Sequence, residues 1–234
     1  MSFYTLQDLL SGNPVYINKL KTDSLQQLYE LLCNNAYVYK LQNGEQIRLL
    51  FSKDQFCHLI GFSYFGYEGI RGWDALKASP IEVRRFSTHP KFRMLQFRIT
   101  SFNRLYFLLN NPDIYIYESS LYDEFNYKSA YFAVCNHNRR MYKLGVGITA
   151  NGLNYPETLL IDRDDSTYNY YLLPEKLIAI ISLDTIPKET FLKRHRIAKE
   201  INKILSNYEP TADDLSGIFA DLKESVKPTS NSQL

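Results

Sequence analysis

Residues 36–62 read AYVYKLQNGEQIRLLFSKDQFCHLIGF. Two β-rich arms flank Asn43-Gly44, the dipeptide that most favours a tight hairpin because both residues tolerate positive φ. Lys53-Asp54-Gln55 then opens FCHLIGF, residues 56–62, which reads as a helical turn. Towards the N-terminus, residues 3–10 and 15–33 carry helical spacing. Leu20, Leu25, Leu28, Leu31 and Leu32 form a stripe, with Thr22-Asp23-Ser24 as a candidate cap. Towards the C-terminus, SYFGYEGIRG (63–72) is Gly-rich and aromatic and reads as a loop. Helical patterning returns from Trp73 to Asn111. Phe92, Leu95, Phe97, Ile99, Phe102, Leu105, Tyr106 and Leu109 give one long helix over 91–110, ending before Pro112. Strand-like segments follow: DIYIYES (113–119), then KSAYFAVCNHNRRMYKLGVGI (128–148) as two strands around a polar turn at Asn136–Arg140. PETLLID (156–162) comes next, and LLPEKLIAIISL (172–183) reads as a buried strand. Helices and strands segregate, so the fold class is α+β, a curved antiparallel sheet packed on helices. Its apolar face is expected on the 91–110 helix, with the other face open.

Composition bounds the function. The chain has 234 residues, with 27 Lys+Arg against 25 Asp+Glu, a net charge of +2. That balance excludes a strongly basic nucleic-acid sponge and an acidic disordered chain, but not a local basic groove. Between Arg71 and Arg104 eight basic residues face two acids, and between Lys188 and Lys203 six face two. Lys188–Ser206 is expected as a basic helix carrying Lys193, Arg194 and Arg196, and Asp213–Glu224 as an acidic one. With 19 Tyr and 14 Phe but 1 Trp, aromatic side chains are available either to pack strands or to stack bases beside phosphate-neutralising cations. Solvated helix faces explain the same charges. Cys33, Cys57 and Cys135 form no metal or redox spacing and read as reduced thiols of a cytoplasmic protein. There is no signal-peptide pattern at the N-terminus and no window approaches a membrane span.

The strong catalytic signatures are missing: no GxxxxGK[ST], GxSxG or HExxH occurs. Asp162, Asp164 and Asp165 read as an acidic turn between strands. Gly145-x-Gly147 precedes no helix, so it marks a bulge rather than a dinucleotide loop. Of four histidines, His58 differs by lying in the apolar run FCHLIGF, where a core histidine and a functional one are both open readings.

Four ordered features resemble a phage-associated branch of the barnase/EndoU/colicin/RelE-like nucleases. These are the strand IRLLFS leading to His58-Leu59-Ile60-Gly61, Phe97-Arg98-Ile99 followed by Phe102, the hairpin YFAVCNHNRRMYKLGVGI, and Tyr155-Pro156-Glu157-Thr158 before an apolar strand. The resemblance spans roughly residues 36–205. It implies a barnase/RelE-like core with extra N- and C-terminal helices, and metal-independent RNA cleavage with no cofactor. The ribose 2′-OH attacks the adjacent phosphate, which calls for a proton acceptor or donor, filled by His58, and a cation on the non-bridging oxygens, filled by Arg98. Thr158 would donate a hydrogen bond to the same phosphate. Tyr155 would stack a base, and Lys193, Arg194 and Arg196 would bind RNA. His137, Lys128 and Arg139 are candidates by hairpin position alone for a second acid or base. Structural roles compete for each: Arg98 as an ion-pair partner, Thr158 as a turn cap, Tyr155 packed on Pro156.

The expected organisation is N-terminal helices over 1–35, the nuclease-like core over 36–206, an acidic helix over 207–226 and a disordered tail over 227–234. Two functions are carried forward. One is a toxin-like ribonuclease of phage or prophage origin. The other is a non-catalytic phage-encoded inhibitor that uses the same fold to bind a host protein or ribonucleoprotein.

Overall fold

The structure, a computed structural model, describes residues 2–117, 128–163 and 172–207. The expected acidic helix, the C-terminal tail and Asp164–Ser166 lie outside those residues. The chain divides into two compact units, Met1–Thr185 and Ile186–Leu234.

In the first unit, α1 (Leu6–Leu10) starts with a reciprocal cap: the Asp8 amide donates to Thr5 Oγ1, and the Thr5 amide donates to the Asp8 carboxylate at 2.8 Å. Helix α2 (Thr22–Cys33) buries Leu25, Leu28, Tyr29 and Leu32. It begins at Thr22, not at a Thr-Asp-Ser side-chain cap. The Thr22 hydroxyl instead accepts the Ile81 amide at 2.9 Å, which ties the helix start to a distant segment. Strands β1 (Asn35–Leu41) and β2 (Gln46–Leu50) form the expected hairpin, Lys40 pairing with Gln46 and Gly44 sitting at φ 87°. The Ser52 amide donates to the Gln55 side chain at 3.1 Å and leads the chain into α3 (Phe56–Ile60).

Residues 63–72 are not all loop, because α4 (Gly69–Ala78) begins inside them. A Cβ at Gly72 would lie 2.6 Å from the Tyr67 carbonyl carbon, so this glycine marks close packing rather than irregular chain. The single helix expected over 91–110 is two, α5 (Phe92–Thr100) and α6 (Arg104–Asn110). At the break Phe102 is fully buried against Tyr29 and Phe56. The Asn103 side-chain Nδ2 donates to the Leu9 and Asn13 carbonyls at 3.3 and 3.4 Å. Burying both neighbours turns the chain where an unbroken helix would carry them past their partners.

The remaining strands are β3 (Asp113–Ile116), β4 (Tyr131–His137), β5 (Arg140–Ile148), β6 (Asn154–Arg163), β7 (Leu177–Ile178) and β8 (Ile180–Pro187), in the order β7-β3-β4-β5-β6-β2-β1-β8. Only Ala179 separates β7 from β8, yet they occupy opposite edges, so the sheet must curl until those edges approach. The β4–β5 turn places Asn138 and Arg139 at φ 49° and 56° with His137 opposite Arg140, the geometry of a two-residue type I′ hairpin. LLPEKLIAIISL is not one buried strand. Pro174 heads a short helical turn, two edge strands follow, and Ile181 is 69 % exposed.

Alternation along the strands makes two faces. Tyr142, Leu144, Val146, Leu159 and Ile161 join the main core with the helices. Met141 and Leu160 instead pack with a second cluster of Tyr117, Phe132 and Val134. That second face was expected to be open, but its centre is buried: Phe132 is wholly inaccessible and Val134 nearly so.

In the second unit, α7 (Lys188–Asn207) follows Pro187 and is amphipathic. Its Phe191 ring stacks on His195 at 6.0 Å.

Candidate active site

Three elements carry His58, Arg98, Tyr155 and Thr158, and they pack on one another pairwise: α3 with α5, α3 with β6, and α5 with β6. The sheet makes room for this. Strand β2 pairs with β6 only at Leu49–Asn154, where the Asn154 side chain accepts the Arg48 amide at 2.7 Å. At the α3–α5 contact, Gly61 caps α3 at φ 91°. A Cβ there would lie 2.7 Å from Leu95 Cδ2 of α5.

On α3, Phe56, Cys57, Leu59 and Ile60 are buried while His58 is exposed. The core-histidine reading therefore falls, and His58 is the solvent-facing residue of an otherwise sunken turn. Arg98 is half-buried on α5, between buried Leu95 and Ile99 on one side and exposed Phe97 on the other. Phe97 in turn holds the Arg140 guanidinium 4.1 Å above its ring, which fastens α5 to the start of β5.

Tyr155 and Thr158 are three residues apart, a spacing that in a regular strand puts side chains on opposite faces. Here they share one, the second face of Met141 and Leu160, opposite the face that packs on α3 and α5. The β5–β6 register runs Gly147–Tyr155, Val146–Pro156, then Gly145–Thr158, with Glu157 as the extra residue of a bulge. The glycines opposite are required by contact. A Cβ on Gly147 would lie 2.4 Å from the Tyr155 ring, and one on Gly145 would lie 2.8 Å from Thr158 Cγ2. The sequence pattern Gly145-x-Gly147 thus does mark a bulge, and its purpose is to seat Tyr155 and Thr158. Both remain half-buried. The bulged Glu157 accepts the Lys128 amide at 2.6 Å and the Ser129 hydroxyl, fixing the chain that enters β4 beside Thr158.

Lys143 was not singled out by the sequence. It lies on the same face as Gly145, 1 % exposed, with Nζ 2.6 Å from Asp162 Oδ2. Burial lowers its pKa, and the bond to Asp162 and that carboxylate's charge partly restore it. Asp162 is therefore the partner of a buried lysine on β6 and not merely part of an acidic turn. Period-2 alternation in YKLGVGI would have put Lys143 on the sheet's second face. Nothing in that pattern says the face is covered, so the lysine reads as an ordinary exposed one.

The other candidates are dispersed. Lys128 is exposed beside Glu157, and Arg139 is exposed at the β4–β5 turn. Lys193, Arg194 and Arg196 are exposed on α7, in the second unit. Among the described residues there is no group of three or more His, Cys, Asp or Glu placed to hold a metal ion. No described helix is long and apolar enough to cross a membrane.

Residues 23–209 match the model of a protein family described as phage-Barnase-EndoU-ColicinE5/D-RelE like nuclease4. The match begins at Asp23, so α2 belongs to the family's unit, whereas the resemblance read from sequence starts at Ala36. No curated protein and no solved structure matches the chain. The chain belongs to this nuclease family of the barnase, EndoU, colicin and RelE type.

Proposed function

From that membership we propose that the protein is a ribonuclease that works without a metal, with its site where α3, α5 and β6 meet. The observation that supports the reading is the pairwise packing of these three elements, which sets the helix of His58 beside the helix of Arg98 on β6, while Tyr155 and Thr158 stand on the sheet's other face with Leu160. RNA is the substrate because its 2′-OH supplies the nucleophile. The 2′-oxygen forms a bond to the adjacent phosphorus, the bond to the 5′-oxygen breaks, and a 2′,3′-cyclic phosphate remains. His58 takes the 2′ proton, a role suited to an imidazole that faces solvent. The departing 5′-oxygen takes its proton from solvent. Arg98 presents a planar fork to the non-bridging oxygens as charge gathers on them, whereas Thr158, on the face of Leu160, stands across the sheet from it. Tyr155, held against Gly147, offers a ring for base stacking. Lys193, Arg194 and Arg196 on α7 contact backbone phosphates. A phage-derived toxin acting in the cytoplasm is the setting that suits such an activity.

The test is incubation of the pure protein in excess EDTA with end-labelled transfer and ribosomal RNA, beside His58→Ala and Arg98→Ala. Discrete fragments from wild type and none from either variant are expected. Intact RNA under all conditions, with or without added magnesium or manganese, would favour the non-catalytic inhibitor of a host nucleic-acid machine. Its partner would then be sought by pulldown.

A further inference from the structure

A cleft of about 190 Å³, lined by none of the residues of the proposed site, is walled by the chain at Asn13–Val15, the α5–α6 break and the β4–β5 turn. Its charged lining residues are Arg104 and Arg140, and no carboxylate lines it. The walls are preformed. Asn103 ties the Leu9–Asn13 chain to the break, Arg104 donates to the Gly12 carbonyl, and Arg140 is held over Phe97. At the hairpin end, His137 Nε2 is buried and has no hydrogen-bond partner among the described residues. Neither arginine forms a salt bridge among the described residues. Buried polar atoms are normally paired, so this imidazole nitrogen, set beside two cations, is placed to bond a polar group that enters the cleft.

We propose that this cleft is a phosphate-binding site, with Arg104 and Arg140 as the charged donors, His137 Nε2 as a further donor and the Asn138 amide at the rim. The ligand class is a phosphate ester, either the terminal group of a nucleotide or a backbone phosphodiester. Both present the compact oxyanion that two guanidinium groups recognise. His137 fits this role from the other side as well. Burial first, and then Arg104, depress its pKa, and a bound oxyanion would favour its protonation. The site does not depend on cleavage at His58, and it stands or falls separately from the ribonuclease reading.

The experiment follows the four histidine side chains of the full-length protein by NMR during three titrations. The probes are inorganic phosphate, 5′-AMP, and a short oligodeoxythymidylate without terminal phosphates, which has no 2′-OH to react. The expected result is a saturable shift of the His137 ring signals, with affinity about tenfold lower in Arg140→Gln. Asn138→Asp serves as a second variant. Aspartate tolerates the positive φ at that turn and adds a repelling charge, so it should abolish the shift. A response to phosphate and 5′-AMP alone assigns a terminal phosphate, and a response to the oligonucleotide assigns the backbone. The proposal is overturned if no probe moves His137, or if folded Asn138→Asp binds as wild type does.

Discussion

At the residue scale, exposure separates the roles of two groups that look alike in sequence. His58 sits in an apolar run but faces solvent, so removing its ring disturbs no packing. His58→Ala should change stability by less than about 0.5 kcal/mol, as surface substitutions do, while cleavage is lost. Thermal melts beside RNA cleavage assays check this, and a melting drop of many degrees would return His58 to the core. Lys143 is the reverse case, a charged residue inside the sheet. Its pKa in the fold lies below its ordinary value, so the unfolded chain holds more protons between that lowered value and about 10.5. Stability contributed by this group therefore rises with pH across that window. Below it, the burial penalty on the charged amine is present in full. The denaturation midpoint of wild type relative to Lys143→Met should climb from neutral pH towards pH 10, and a falling difference would contradict the assignment. The thiols obey the same rule. Burial pushes Cys57 up to about 12 and Cys135 up to about 11, so at pH 8 both should resist a thiol reagent until the protein is denatured.

At the scale of elements, the glycines opposite β6 set where two side chains can stand. Gly147→Ala brings a methyl group into the Tyr155 ring, an overpacking cost of about 1–3 kcal/mol that is relieved only by moving the ring. If Tyr155 stacks a base as proposed, cleavage by this variant should fall mainly through a raised KM. Single-turnover kinetics across a range of RNA concentrations would separate that from a lower rate at saturation. The elements themselves were largely legible. The Asn43-Gly44 hairpin, the β4–β5 hairpin, the helix at Phe56–Ile60 and the basic helix at Lys188 all stand where turn chemistry and periodicity put them. Three features were not legible, each because a distant residue decides it. The α5–α6 break depends on Asn103 reaching Leu9 and Asn13. The early start of α4 depends on Tyr67 passing Gly72. The split of residues 172–187 into two edge strands depends on where the sheet curls. The candidate site shows the same division. Tyr155-Pro156-Glu157-Thr158 was visible as a motif, but its bulge is defined only against Gly145 and Gly147. Lys143 and the cleft at His137 depend on which faces become covered, and period-2 alternation carries no information on that.

For the whole molecule, the near-neutral net charge conceals a division of labour. Lys193, Arg194 and Arg196 of α7 are exposed, and exposed cations act on nucleic acid mainly through phosphate neutralisation, which salt weakens. Reversing Lys193, Arg194 and Arg196 to Glu should weaken RNA binding at low salt and flatten its dependence on salt, with the melting temperature nearly unchanged. Unaltered affinity would reduce the helix to a solvated face. The central claim is that this nuclease fold cleaves RNA by 2′-OH attack at the junction of α3, α5 and β6. Its most direct measurement compares one short RNA with the same RNA carrying a single 2′-deoxynucleotide at the cleaved position, in EDTA, with the product ends identified by mass. Cleavage of the first to a 2′,3′-cyclic phosphate, and none of the second at that position, is expected. Equal cleavage of both, or products ending in 5′-phosphate, would contradict the claim.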